Sequence, residues 1–450
     1  MKSSATKSKG QMSFISPDLI DQLNPKHELV ILANIIPWDT LEEELAGFYH
    51  EKMGRPAKPI RLMVGLMILK QMEDLSDEKV VEAWVANPYM QFLCGATQFQ
   101  WQFPCVSSDL THFRNRIGEE GIKKILAVSI ALHGKEALEK EVTIDTTVQE
   151  KNITFPTDAK LHRRIAEKCR KIAAAGEIDL RRSYTRTIKK LMKAQRFASH
   201  PRNRKKAKKA QKELKTIAGR LLRELNRKLP KETQELYQST LELFERVLAQ
   251  ERNSKNKIYS LHEPDVYCMS KGKEHKKYEF GAKASIVTTK NSGIIVGAQS
   301  FSENIYDGHT LDTVLNQVKE LRGERPEIGI CDRGYRGRSK VGDTRIMIPK
   351  SPLKRATAYE KQKARKRFRR RAGIEPIIGH LKSDYRLGRN YLKGIAGDAI
   401  NLMMAAAAFN FKKLLRQLIY FFVSILQHIF QSRIGFFRRP DHPSLLSFSI

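Results

Sequence analysis

The sequence predicts an α/β fold: a mixed sheet with helices on its faces, entered through an all-α region and split by a basic helical block. Three observations predict it. Apolar spacing is helical from residue 28 to 135, then changes at Glu141 to the two-residue alternation of a strand. From 278 onward short strands and helices alternate, an order that implies a mixed sheet covered by helices. Between these regions, residues 160–259 hold 30 Lys+Arg against 10 Asp+Glu, a charge excess that marks a separate block.

Taken in order, residues 1–29 read as a tail, and Met1–Gly10 is polar and lysine-bearing with no apolar run after it, so no signal peptide is expected. Residues 30–135 read as one helical domain. LVILANIIPW, LEEELAGFY and RLMVGLMILKQM carry apolar residues at helical spacing, and Ser76 is a plausible N-cap with Asp77 and Glu78 in the first turn. Ser107 or Ser108 then caps DLTHFRNRIG, where Leu110, Phe113 and Ile117 share a face and Arg114 and Arg116 project elsewhere. Short capped helices suit a helix-turn-helix-like DNA module, with Arg114 and Arg116 as its contacts, and equally suit any small bundle.

EVTIDTTVQ opens the sheet. Asp145 points to the face opposite Val142, Ile144 and Val148, and the plain explanation for an acid there is a solvent-facing edge. The block 161–259 has helical period and is read either as a solvated helix pair or as a surface that tracks phosphates, with the sign imbalance favouring phosphates. YEFGAKASIVTT and GIIVGAQS, joined at KNSG, form a hairpin. In NIYDGHTL a turn is expected at Asp307-Gly308 with Thr310 as the next N-cap. PEIGICDRGYRG is a short strand ending at Asp332, RIMIP another, and a basic helix (357–371) and a helix from about 375 complete the core, taken as 140–160 plus 260–412. Residues 413–450 are a last helix and tail. Its LIYFFVSIL is too short to span a bilayer and reads as a buried or interface helix, so no membrane partner is expected.

Charge bounds the partner. With 82 Lys+Arg against 49 Asp+Glu, the formal net charge is +33 and the sequence pI about 9.9. A polyanion relieves such self-repulsion, and nucleic acid is the first candidate, with ribosomal or membrane-surface association behind it. Five cysteines without a C-x-x-C pair argue against a zinc ribbon or disulfide framework and for a reducing cytosol.

Chemistry is suggested by three acids: Asp145 mid-strand, Asp332 at a strand end before Gly334, and Glu375 at a helix start. Each has an ordinary explanation alone, Asp332 as a turn former and Glu375 as a helix N-terminal charge. Together they would repel one another without a cation between them, and hard divalent ions with oxygen ligands fill such a site. Two ions can activate an attacking oxygen and stabilise a leaving one, which on a strongly basic protein means phosphodiester chemistry. Eight of the eleven residues from Lys361 to Arg371 are basic, Arg369 and Arg370 among them, a run that calls for phosphate. Glu375 and Lys382, seven apart, fall about 20° from each other on one helix face. Pro376 limits the helix start to Ile374–Pro376.

These residues carry a resemblance. F368-x2-R371-x3-E375-x6-K382 resembles the Y-x2-R-x3-E-x6-K signature of bacterial insertion-sequence transposases with a DDE core, with Phe368 in place of tyrosine. CDRGYRG and VTIDTTVQEKNITFPTDAKL resemble the blocks that carry the second and first acids, Asp332 and Asp145. GRPAKPIRLMVGLMILKQMEDLSDEKVVEAW, FQWQFPCVSSDLTHFRNRIG, KGKEHKKYEFGAK and NIYDGHTL are similar to the InsH-like members of the insertion-sequence-five family, so the resemblance runs from about residue 30 to 412. It implies an RNase H-like core in which the three acids hold two Mg²⁺ ions, with Mn²⁺ as a possible substitute. It also implies hydrolysis at the element's ends, then attack of the freed 3′-OH on target DNA. Arg371 and Lys382 would contact phosphates near the scissile bond, and residues 30–135 would help recognise terminal inverted repeats. Pairing two ends implies a homodimer on double-stranded DNA. Only 43 positions separate Asp332 from Glu375, so the large insertion common there in DDE transposases stands instead between the first two strands. Two other readings stay open: a non-catalytic DNA-binding relic, and a metal-dependent nuclease without strand transfer.

Overall fold

The computed structural model describes residues 18–50, 56–251, 253–270, 277–349 and 355–436. Of the tail expected over 1–29 only 1–17 lies outside them; the rest is no free tail, since Leu19–Gln22 is helical and Leu19 and Leu23 are buried. Of the helix and tail expected over 413–450, residues 437–450 lie outside, as does the part of KGKEHKKYEFGAK before Lys277.

The chain opens with helices α1 (Leu19–Gln22), α2 (Glu28–Ile35), α3 (Trp38–Ala46), α4 (Ile60–Met72), α5 (Asp77–Ala86), α6 (Pro88–Leu93) and α7 (Ser107–Ala131). Ser76 caps α5, its side chain accepting from the Lys79 N–H at 3.2 Å. The expected Ser107/Ser108 cap is replaced: both serines are helical, and Asp109 accepts from the Val106 N–H at 3.1 Å. DLTHFRNRIG is therefore the first part of a longer helix, kinked where Gly118 takes φ 56°.

Strand β1 (Glu141–Glu150) follows, and then the insertion: α8 (Asp158–Ala175), α9 (Thr185–Ala194), α10 (Pro201–Lys228) and α11 (Lys231–Ala249). The sheet resumes with β2 (Tyr267–Ser270), β3 (Tyr278–Thr289) and β4 (Ile295–Phe301), then α12 (Asp307–Arg322), β5 (Ile328–Ile330), β6 (Lys340–Val341) and β7 (Thr344–Met347). Three helices close the order: α13 (Ala358–Arg371), α14 (Ile374–Ser383) and α15 (Gly394–Phe436). The turn expected at Asp307-Gly308 is instead the first turn of α12. Thr310 lies inside it, donating its hydroxyl to the Asp307 carbonyl at 2.7 Å.

In the sheet β1 pairs antiparallel with β3 and parallel with β5, β3 pairs antiparallel with β4 along its other edge, and β5 pairs parallel with β7. Counting only those five strands, the spatial order is third, second, first, fourth, fifth, the RNase H-like arrangement within a mixed α/β sheet. β1 is thus central, and the edge position considered for Asp145 does not hold.

Among the described residues two large hydrophobic cores and a small cluster of Leu19, Leu23 and Val30 divide the chain unevenly. One runs without interruption from the N-terminal helices into the sheet and α15. Its seam is stitched by polar groups: the Gln71 amide donates to the Tyr385 carbonyl at 2.7 Å, and buried Asn410 joins the Ile295 backbone to the Ser129 hydroxyl. The stretch Gly394–Leu418 is long and apolar enough to cross a membrane, yet 83% of its most apolar window is buried inside the fold, as befits a core helix. The second core belongs to the insertion, where Leu214, Ile217, Leu221 and Leu225 of α10 meet Ile165 and Cys169 of α8 and Phe244 of α11.

Candidate active site

Sheet register brings the first two acids side by side. The parallel β1–β5 ladder ends with Thr143 opposite Ile330, so two residues further Asp332 leaves the carboxyl end of β5 beside Asp145, which is still within β1. Asp145 accepts from the Thr146 N–H at 2.8 Å, and Asp332 accepts from the Gly334 N–H at 2.7 Å, closing a tight turn after β5. A side chain at Gly334 would displace these carboxylates: its Cβ would stand 2.9 Å from Asp332 Oδ1 and 3.2 Å from Asp307 Oδ2.

The third acid arrives by helix geometry. Ala372 and Gly373 keep near-helical dihedrals across the break between α13 and α14, and the Glu375 N–H donates to the Ala372 carbonyl at 3.2 Å. Pro376 has no N–H to give and falls in the first turn of α14, where none is needed. Because the break is so slight, Arg371 stays aligned with Glu375. Its Nη2 lies 3.3 Å from Glu375 Oε1 and its Nη1 3.8 Å from Asp145 Oδ2. Arg371 thus links the strand acid to the helix acid. α14 itself is anchored by buried Ile374 and Leu381 and rests on β1.

Electrostatics record the convergence. Burial pushes the Asp145 carboxyl up to about 6; its bond from Thr146 and the Arg371 charge pull the other way, and the Asp332 and Glu375 charges add to the rise. A carboxylate so short of positive charge, facing two more oxygen donors, suits a hard divalent cation. Among the described residues, no three Asp, Glu, His or Cys side chains stand close enough together to hold one ion as they are. The Arg371 guanidinium bridges Asp145 and Glu375 where positive charge is called for, and Glu375, 63% exposed, has room to turn inward.

A fourth acid, which no sequence pattern singles out, stands beside these three. Asp307 Oδ1 accepts from the Thr146 hydroxyl at 3.0 Å and from Lys283 Nζ at 2.9 Å, while its Oδ2 faces the Gly334–Asp332 turn. An Asp-Gly pair reads as a turn, and only the fold brings α12's first residue against β1.

The remaining basic positions divide. Arg369 is exposed, and Arg370 is exposed but hydrogen-bonded to the Asn291 side chain. Lys382 lies two turns beyond Glu375 on α14 and is half-buried. Arg116 is exposed, its guanidinium 4.7 Å above the Tyr49 ring in a groove shared with Lys58 and His112. Arg114 departs from expectation. Only 5% exposed, it forks onto Asp77 at 2.9 and 2.6 Å and bonds Thr111, so its charge is consumed inside the helical region and is not offered to DNA.

Comparison with known proteins finds transposase domains in this chain. Residues 17–116 match a transposase domain of the DUF772 type, and residues 260–411 match a transposase DDE domain. A protein of Rhizobium meliloti, described as uncharacterized protein ORF8 in the nfe locus, is 45% identical over 183 residues, which cover 87% of that protein and 39% of this chain. No solved structure matches.

Proposed function

The chain belongs to the DDE transposases of insertion sequences, and we propose that it binds the ends of such an element and carries out metal-dependent strand cleavage and strand transfer. The observation that carries the proposal is the meeting of Asp145 on the central strand β1 with Asp332 at the end of neighbouring β5, with Glu375 linked to Asp145 through Arg371. In this reading Asp145, Asp332 and Glu375 hold two Mg²⁺ ions. Bound there, the ions would supply Lewis-acid stabilisation of the phosphate and lower the pKa of an attacking hydroxyl or water.

The protein's own groups do the rest. Arg371, a guanidinium already at the site between Asp145 and Glu375, would exchange those carboxylates for the phosphate of bound DNA. Lys382 holds the backbone two turns along α14, and Arg369 and Arg370 extend that grip along the duplex. Asp307 is a positioning residue: through the Thr146 hydroxyl it fixes the strand position next to Asp145. Residues 30–135, with Arg116 at the surface, contribute to end recognition, the basic insertion clamps DNA, and two copies pair two ends. The protein acts in the cytoplasm.

Asp332→Asn tests the reading, with Mg²⁺-dependent cleavage lost while duplex binding persists. Joining of a labelled 3′ end to a plasmid by the parent protein separates transposition from simple cleavage. Unchanged cleavage by the variant would overturn the assignment.

A further inference from the structure

The insertion is charged on one side. α9 carries Arg186, Lys189, Lys190 and Lys193 with no acid, and α10 carries twelve Lys+Arg against two Glu. α11 reverses the sign, with exposed Glu232, Glu235, Glu242 and Glu245 against Lys231 and Arg246. α8 adds six Lys+Arg against two acids, so a polyanion is attracted to the α8–α10 side of this charge divide and repelled by α11.

On that side, at the tip joining α9 to α10, Phe197 is 81% exposed. Its backbone holds φ 56°, a left-handed conformation that a bulky side chain adopts only when its surroundings impose it. The surroundings do so. The Asn203 amide donates to the carbonyls of Ala194 and Arg196, the Gln195 amide donates to the Ala207 carbonyl at 2.6 Å, and the His200 N–H donates to the Phe197 carbonyl at 3.0 Å. The apolar residues of α9 that serve the core, Ile188 and Leu191, are already buried. Leu236 on α11 is also exposed, but it sits in a regular helix among acids, the ordinary condition of an isolated surface leucine. Phe197 is instead fixed outward by a braced, strained loop, flanked by exposed Arg196, Arg202 and Arg204.

We propose that this tip deforms DNA, with Phe197 stacking into an opened base step of a duplex while the flanking arginines hold the adjoining phosphates. This rests on the reading of DNA as the protein's partner. Apolar wedges flanked by basic residues unstack base steps and bend the duplex, and a rigid presentation lowers what must be ordered on binding.

The test uses the full-length protein and two sets of duplexes carrying 2-aminopurine at successive positions, one drawn from the DNA flanking this gene and one of unrelated sequence. At saturating protein, the parent raises 2-aminopurine fluorescence severalfold at one or two adjacent positions. Phe197→Ala lowers affinity by about tenfold or more and abolishes that rise, with the salt dependence of binding as in the parent; Phe197→Trp restores the rise. Replacing Arg196, Arg202 and Arg204 by alanine together reduces the slope of log affinity against log salt by roughly 2–3. A fluorescence rise that survives in Phe197→Ala overturns the wedge and leaves the transposase reading standing. So does loss of self-association in that variant with the DNA signal unmoved. Failure of the parent to bind either duplex set overturns the DNA reading and the wedge with it.

Discussion

The two helical parts of this chain, the N-terminal region and the insertion, use arginine in opposite ways. In the N-terminal region Arg114 is turned inward onto Asp77, which Lys70 also holds at 2.7 Å, and the helices share one core with the sheet and α15. In the insertion the basic residues of α9 and α10 are exposed on a bundle with its own core. Charge excess, not helical pattern, therefore marks the surface left for a polyanion. The N-terminal helices are structurally part of the body that carries the acids; the insertion is an appendage whose surface is free to evolve toward DNA.

The strongest challenge to that contrast lies at the acids, which both regions would serve. Asp332→Asn should lower Mg²⁺-dependent cleavage by about a thousandfold or more while a filter-binding assay reads near-parent affinity. Next comes Arg114→Ala. Leaving Asp77 with Lys70 as its remaining partner should cost about 1.5–3 kcal/mol, read by urea unfolding, and leave the salt slope of DNA binding unmoved. A reduced slope with intact stability would put Arg114 back among the DNA-binding residues.

The acids predict a pH dependence as well. The Asp145 carboxyl is raised in the folded protein to about 6 from an ordinary 3.8, so its contribution is favourable below about pH 4 and is lost as pH rises through about 6. The metal-free protein should lose roughly 3 kcal/mol over that window, and Asp145→Asn should remove the loss. Mg²⁺ runs the other way, because it takes the ionised form: the Tm rise it produces should grow from pH 5 to pH 7. The smallest effects belong to the insertion. Lys205, Lys208 and Lys212, exposed at helical spacing on α10, can be changed to glutamine together with stability shifts within about 0.5 kcal/mol each. Even so, every phosphate that a lysine no longer neutralises lowers the salt slope by about 0.9.

Much of this was legible in the sequence. The strand alternation around Asp145, the hairpin at 278–300 and the break at Pro376 all follow from local rules, and the fold agrees with each. What was not legible is what depends on distant partners. Arg114 at its helix position could have pointed to solvent; only Asp77, 37 residues earlier, draws it in. Thr310 has the chemistry of a cap, but the helix has Tyr306 as its N-cap and starts four residues sooner, at Asp307. Asp307 looked like a turn because its neighbours, Thr146 and Lys283, lie on other strands. Mid-strand Asp145 suggested an edge, and only the arrival of β5 made β1 central.

Metal binding by the three acids is tested most directly by counting Mn²⁺ ions on the protein–DNA complex with electron paramagnetic resonance, for the parent and for Asp145→Asn, Asp332→Asn and Glu375→Gln. Two bound ions are expected in the parent, with at least one lost in each variant while DNA stays bound. Equal Mn²⁺ occupancy in the parent and all three variants would mean that these acids do not hold the metal.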